Sequence, residues 1–372
     1  MIAHRTISGN RRYPLSLSRL LILRLLIPFN PRNLALRIRA RSGIVGRKDY
    51  LLEAKRLILG MVMLLVLSPG LSEAKVQGGI VLMFDDGYAG WVTTIAPELD
   101  RVGGVATAYV TLNSIRAEKL TFEDLRTLQN RYGWEIGTHT NHHFNPREFV
   151  KRKGLAAWTS QELDLAVRDL RRQGLEVRNL SFPFDATSPE IQATVARRLE
   201  SFRRPAPLAL GSGLREDLSI PGTEISLANY VPMELIKKWI DLAHNQDSLL
   251  FLYGHQVLPD AEFVTGTVET AKLHTLTATA AIKPIAEADL YLVPDTTRRF
   301  LGVPMRVVSI EGKQVQLGRG DLSRLTKPGA TFMIGPGYGM SLSDFREMIA
   351  YAAKRLKFFT VHQVVDGKWR KN

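Results

Sequence analysis

Five residues of this 372-residue chain carry chemistry of a definite kind: the adjacent carboxylates Asp85 and Asp86 and the imidazoles of His139, His143 and His255. Two imidazoles and one carboxylate are the donor set of a zinc-type divalent ion that keeps positions open for water and substrate, as a hydrolytic metal site requires. In THTNHHF, His139 and His143 are four residues apart and can meet one ion, while His142 between them points elsewhere. No Glu follows His139, so the segment is not the H-E-x-x-H helix of metalloproteases. Each element alone is a weak signal. Asp-Asp-Gly is most often a turn, a lone His after an apolar strand is as readily structural, and a His-rich loop can simply be solvated. Their joint placement is what points to a site.

That placement depends on the segments just before them. GIVLMF (79–84) reads as a strand running into Asp85, WEIGT (134–138) as a strand ending at His139, and SLLFLYG (248–254) as a strand ending at His255. All three candidate groups thus fall at carboxyl ends of strands, the edge on which barrel-like α/β folds assemble their active sites. Around them, β-rich runs such as VATAYVT and VRNLSFPF alternate with helical runs. These are FEDLRTLQNRY, TSQELDLAVRDLRRQGL with Leu163, Val167 and Leu170 at helical spacing, the segment from Pro189, and PMELIKKWIDLAHN. Such alternation predicts parallel βα units. A last pair, SDFREMIAYAAKRL with Ser343 as N-cap and the strand FFTVHQVVD, closes the series. Between Val257 and Ser341 the rhythm becomes alternating β, with Glu311-Gly312 as a hairpin turn, which predicts about 80 residues of inserted, mostly β structure.

The order F-D-D-G-Y after a strand, G-W-E-I-G-T-H-T-N-H-H-F, a later F-P-F, and L-Y-G-H ending a strand resembles the NodB-homology polysaccharide deacetylases, carbohydrate esterase family 4. The resemblance covers residues 79–256 and resumes from Ser343. It implies an α/β fold, a distorted (β/α)7 barrel, here with a mostly β insertion before the last βα unit. The deacetylase barrel then occupies residues 75–257 and 341–372 and the insertion 258–340. It also implies roles: Asp85 as general base, Asp86, His139 and His143 as metal ligands, and His255 as the acid that protonates the leaving amine. Pro183 and Phe184 would form the loop that meets the oxyanion and substrate, with Thr140 as support. The implied cofactor is a divalent metal, zinc by preference, and the implied partner an acetylated polysaccharide.

One motif departs from the family's pattern. Where many members have Arg-x-Pro-Tyr, this chain has Ser181-Phe182-Pro183-Phe184 followed by Asp185, so the Arg that would orient the base is absent there. Arg203 or Arg204, in the following segment, could supply that charge, which the sequence alone does not show. Two alternatives to N-deacetylation remain open: an O-acetyl polysaccharide esterase, and a non-catalytic sugar-binding protein on the same fold. Retention of all five chemical residues argues against the second. In the insertion, Tyr291, Phe300, Phe332 and Tyr338 are candidate sugar platforms, weighed against their filling the insertion's own core.

The net charge of +14 looks like a nucleic-acid signal until it is located. Residues 1–50 carry +10, residues 51–75 carry +1 and the other 297 only +3, so no nucleic-acid partner is expected of the folded part. From Lys55, KRLILGMVMLLVLSPGLSEAK has the basic, apolar and small-residue order of a secretory signal peptide, read as residues 56–74 with cleavage after Ala74. A periplasmic or extracellular location is therefore expected, with membrane contact only through an uncleaved signal segment. The Arg-rich residues 1–55 before it read as a basic extension, with translation expected to start downstream, at Val45 or Met61, so that residues 1–44 lie ahead of the true start. With no cysteine, compartment cannot be argued from disulfides.

Overall fold

The computed structural model describes residues 78–206, 209–211, 215–216, 219–225, 231–285, 288–292 and 305–370. The basic extension, the signal segment and Phe300 lie outside the described residues.

Seven parallel strands close a barrel. They are β1 (Gly79–Asp86), β2 (Thr107–Val110), β3 (Glu135–Thr138), β4 (Asn179–Ser181), β5 (Ser201–Pro205), β7 (Ser219–Glu224) and β8 (Leu249–Gly254), with β8 returning to pair with β1. The short β6 (Leu210–Gly211) runs antiparallel against β8. The expected (β/α)7 barrel is therefore what the chain forms. Its strands are apolar on both sides because one face meets the helices and the other fills the barrel. On β1, Ile80, Leu82 and Phe84 join Trp91, Leu99 and Ile349 in the outer core, whereas Val81 and Met83 join Tyr109, Phe251 and Tyr253 inside. The two-residue period then turns Asp85 inward, one layer above Met83.

Four local features differ from the sequence expectations. SFRRP and SIPGTE form β5 and β7, which no apolar run announced. The N-cap of the helix Leu342–Ala353 is Ser341, whose Oγ accepts from the Asp344 N–H at 3.1 Å; Ser343 instead donates its N–H to Asp260. FFTVHQVVD is not one strand but β17 (Lys357–Phe359) followed by a helix, Val361–Val365, capped by Thr360. Finally, β17 pairs with Gly79–Val81 of β1 while β2 pairs with Met83–Asp86, so the seven-strand ring closes without the last unit's strand.

The amino ends of the strands are sealed by a polar plug. Glu135, buried, accepts from Thr107 Oγ1 at 3.1 Å, from Asn179 Nδ2, and from the His362 N–H at 2.7 Å, in the first turn of the helix Val361–Val365. Burial raises its carboxyl to about 8, against the lowering effect of the Thr107 and Asn179 hydrogen bonds.

After His255 the chain forms β9 (Gln256–Leu258) and leaves the barrel. It makes a second, closed barrel of antiparallel strands in the order β10-β11-β14-β13-β12-β15. These are β10 (Val264–Lys272), β11 (Thr275–Ala278), β12 (Ala288–Leu292), β13 (Met305–Glu311), β14 (Gln314–Leu317) and β15 (Thr331–Pro336). Gly312, at φ +58°, turns β13 into β14. Closure leaves no unpaired strand edge. Val268, Leu276, Leu290, Val315, Phe332 and Ile334 form a core separate from those of the main barrel. The chain returns as β16 (Gly339–Ser341), which pairs parallel with β9. No helix among the described residues is long and apolar enough to cross a membrane.

Candidate active site

Asp86, His139 and His143 meet at the carboxyl end of the main barrel, each offering one ligand atom, all within 4.8 Å of one another. Asp86 Oδ1 is 3.5 Å from His139 Nε2 and 3.3 Å from His143 Nε2. His139 Nδ1 lies 2.8 Å from the Ser181 carbonyl oxygen; donating its proton there leaves Nε2 as a lone pair facing Asp86. His143 is likewise kept neutral, its imidazolium pushed down to about 4 by burial and by the neighbouring His139, against the pull of Asp86. A carboxylate and two neutral imidazoles with converging lone pairs fit a divalent transition-metal ion.

The backbone is strained to hold these groups. Asp86, Thr140 and His143 sit at φ +79°, +69° and +64°, in the left-handed region that costs a non-glycine residue about 1–3 kcal/mol. The Asp86 carbonyl is gripped by Ser114 Oγ at 2.7 Å and by the Thr111 hydroxyl and N–H at 3.2 Å each. Thr111 also caps the helix Leu112–Arg116. The Tyr88 hydroxyl donates to the other Asp86 oxygen at 3.2 Å. Thr140 is fully buried, its N–H bonded to Thr138 Oγ1 at 3.1 Å. His142 does turn away: its N–H and Nδ1 reach the two oxygens of the fully buried Glu162 at 2.9 and 2.6 Å, which pins the loop between the two ligand histidines.

Asp85 does not join the ligand cluster. Its carboxylate lies 4.0 Å from His139 Nε2 and accepts two hydrogen bonds from Arg203, at 2.7 and 2.6 Å, and a third from Ser181 Oγ at 3.3 Å. Burial alone would raise this carboxyl, but the Arg203 charge and hydrogen bonds, with His139 and His255, outweigh it and hold the group at about 2. Arg203 projects into the barrel from β5, as Phe202 packs outward on Phe182. The missing charge of the third motif is therefore supplied one strand later, by Arg203. Its guanidinium lies 3.6 Å from the Tyr253 ring centroid. Gly222 on β7 leaves the room, since a Cβ there would stand 2.7 Å from Arg203 Cδ.

Asp185 is the other half of this arrangement. Its oxygens accept from Arg203 at 3.2 Å and from the Tyr253 hydroxyl at 2.7 Å. That fastens a non-glycine residue in the left-handed region, at φ +51°. The two carboxylates flank one buried guanidinium, and only Asp85 faces the ligand cluster. Pro183 is buried beneath the loop, whereas Phe184, φ +58°, presents a ring that is 64% exposed and 4.7 Å from that of His143.

His255 follows β8, is 9% exposed, and its carbonyl accepts from the Trp91 indole at 2.8 Å. It lies close enough for its charge to act on Asp85. Of the insertion's candidate platforms, Tyr291 and Phe332 are fully buried, and Phe332 belongs to the insertion's core. Tyr338 is half exposed, with its ring 4.7 Å from that of His255.

Residues 73–203 match the family described as "Polysaccharide deacetylase". No curated protein matches the sequence. Among solved structures, a family 4 carbohydrate esterase from Streptomyces lividans in complex with acetate is 14% identical, with a TM-score of 0.36, covering 48% of this chain and 80% of that one. The BpsB deacetylase domain from Bordetella bronchiseptica is 17% identical at a TM-score of 0.32, covering 38% and 69%. The peptidoglycan deacetylase PdaC from Bacillus subtilis is 16% identical at 0.30, covering 48% and 75%. The match over residues 73–203 spans Asp85, Asp86, His139, His143 and Arg203, so the part of the chain that holds the Asp-His-His cluster is the part that is similar to polysaccharide deacetylases.

Proposed function

We propose that this chain is an exported, zinc-dependent hydrolase that removes N-acetyl groups from an amino-sugar polymer such as poly-N-acetylglucosamine, chitin-type oligomers or peptidoglycan. The observation that carries the reading is the pairing of two separate carboxylates at one strand end. Asp86 faces two imidazoles, and the adjacent Asp85 is held by a buried guanidinium. A zinc ion held by Asp86, His139 and His143 would polarise the acyl oxygen and lower the pKa of water in the site.

The remaining work falls to the chain's own side chains. Asp85, ionised throughout the physiological range and fixed by Arg203, accepts a proton from the attacking water as its oxygen bonds to the acetyl carbon. A base this weak needs strongly acidified water, which is why it stands beside the ligand cluster. His255 gives its proton to the sugar nitrogen as the carbon–nitrogen bond breaks, releasing acetate and a free amine. The backbone N–H of Phe184 is the donor assigned to the developing oxyanion. Buried Thr140 and Pro183 hold the two loops in register.

Acetate release from acetylated glucosamine oligomers, peptidoglycan and acetyl-xylan, with zinc supplied and Asp86→Ala as control, tests the reading. Asp86-dependent release from the amino sugars is expected. Release from acetyl-xylan alone would replace the amide reading with an ester one, and no release despite stoichiometric bound metal would favour the non-catalytic alternative. Export rests on the segment from Lys55 to Lys75. A mature N-terminus at Lys75 is expected from mass spectrometry, and peptides ending before Arg41 would overturn the downstream start.

A further inference from the structure

Among the described residues, the exposed large aromatic side chains are Phe144, Phe184 and Tyr338, at 45%, 64% and 50% exposure, and all three stand around the candidate active site. Phe184 abuts His143, and Phe144 stacks on His142 with ring centroids 5.2 Å apart. Tyr338 abuts His255 and lies near enough to Tyr88, the hydrogen-bond partner of Asp86, to influence its phenol. Water-exposed aromatic faces around buried polar groups suit a ligand that is apolar on one face and polar at its rim. A pyranose ring has that character.

Tyr338 differs from the other two because it comes from the second barrel. It sits between β15 and β16 at φ +60°, a conformation unfavourable for a bulky residue. Its carbonyl accepts from the Gln256 N–H at 3.2 Å, the residue directly after His255. The β9–β16 ladder continues from that bond, pairing Gln256 with Gly339. The fold therefore holds a strained tyrosine against the candidate acid instead of letting its ring join the insertion's core, where Phe332 lies.

We propose that Tyr338 is the stacking platform for the pyranose that carries the departing amine, so that the inserted barrel completes the substrate site of the main barrel. This rests on the deacetylase reading. The amine leaves from a ring carbon of that sugar, and the group that protonates it must be within hydrogen-bond reach. The sugar ring therefore lies beside His255, where the Tyr338 face is presented. The polymer class this selects is one whose reacting unit offers a flat C–H face next to its acetamido group.

The test compares the zinc-supplied full chain with Tyr338→Asn and Tyr338→Phe on N-acetylated chitopentaose, measuring kcat, KM and calorimetric Kd. Asn tolerates the left-handed backbone, so the ring is removed without added strain. The expected result is a KM and Kd about tenfold higher for Tyr338→Asn with a smaller change in kcat, and near-full rescue by Phe, which keeps the ring. Unchanged KM and Kd for Tyr338→Asn in an active enzyme would overturn the platform and leave the deacetylase reading standing. Ring-dependent binding without acetate release would overturn the deacetylase reading, and with it the departing amine, leaving Tyr338 as a sugar contact of a non-catalytic site. Neither binding nor release would overturn both.

Discussion

Asp85 and Asp86 are chemically identical neighbours that the fold drives apart. The strand's two-residue period turns Asp85 into the barrel, onto Arg203, while the left-handed φ of +79° swings Asp86 toward the histidines. Arg203 is the residue on which this division depends. Arg203→Met leaves Asp85 buried without its counter-charge, so the carboxyl should rise well above its present value of about 2. We expect kcat to fall about a hundredfold as the carboxylate loses its fixed orientation. Stability should fall by about 3–5 kcal/mol, the usual cost of orphaning a buried charge. Acetate-release kinetics and urea unfolding check the two effects, and a variant with wild-type kcat would show that Arg203 does not position Asp85 for the proposed reaction. The grouping of Asp85, Asp86, His139, His143 and His255 was legible because each lies at or just beyond the end of a strand-like run, which brings them to one end of the barrel. Arg203 could only be narrowed to one of two arginines, since SFRRP does not look like a strand.

At the scale of elements, the reason is physical. A strand in a parallel barrel normally reads as a continuous apolar run, but β5 turns a buried cation inward and β7 carries Pro221 and Gly222, so both lose that signature. Gly222 is the cost of housing a guanidinium inside the barrel. Gly222→Ala should displace Arg203 and lower kcat at little change in zinc stoichiometry, and unchanged kcat would mean the barrel relaxes around the added methyl. At the other end of the strands, Glu135 predicts a pH effect. Its pKa is raised from 4.5 in the unfolded chain to about 8 in the fold, so its stabilising contribution is complete below 4.5 and lost as pH climbs through about 8. Glu135→Gln mimics the protonated form and should flatten that decline; equal pH slopes for wild type and variant in urea unfolding would refute it. The helix Leu342–Ala353 forms where it was expected, and only its cap differs: Ser341 and Ser343 both suit an N-cap, and the extended backbone of Ser341 selects it.

For the whole molecule, the second barrel has its own core and its own closed sheet, so the main barrel does not need it to bury apolar surface. Replacing residues 259–338 by a short Gly-Ser linker should leave a cooperatively unfolding barrel that still binds zinc, with weakened oligomer binding. Loss of cooperative unfolding would show that the two cores are interdependent. The insertion as a β-rich block was visible from its alternating pattern, but its closure was not, because strand order depends on long-range pairing that no local period encodes. The β9–β16 ladder has a wider meaning. It brings the two ends of the inserted block together beside His255, so the block behaves as a cassette on a fixed socket. Another closed β module with the same two docking strands could be seated on this socket without altering the strands that carry Asp85, Asp86 and His139.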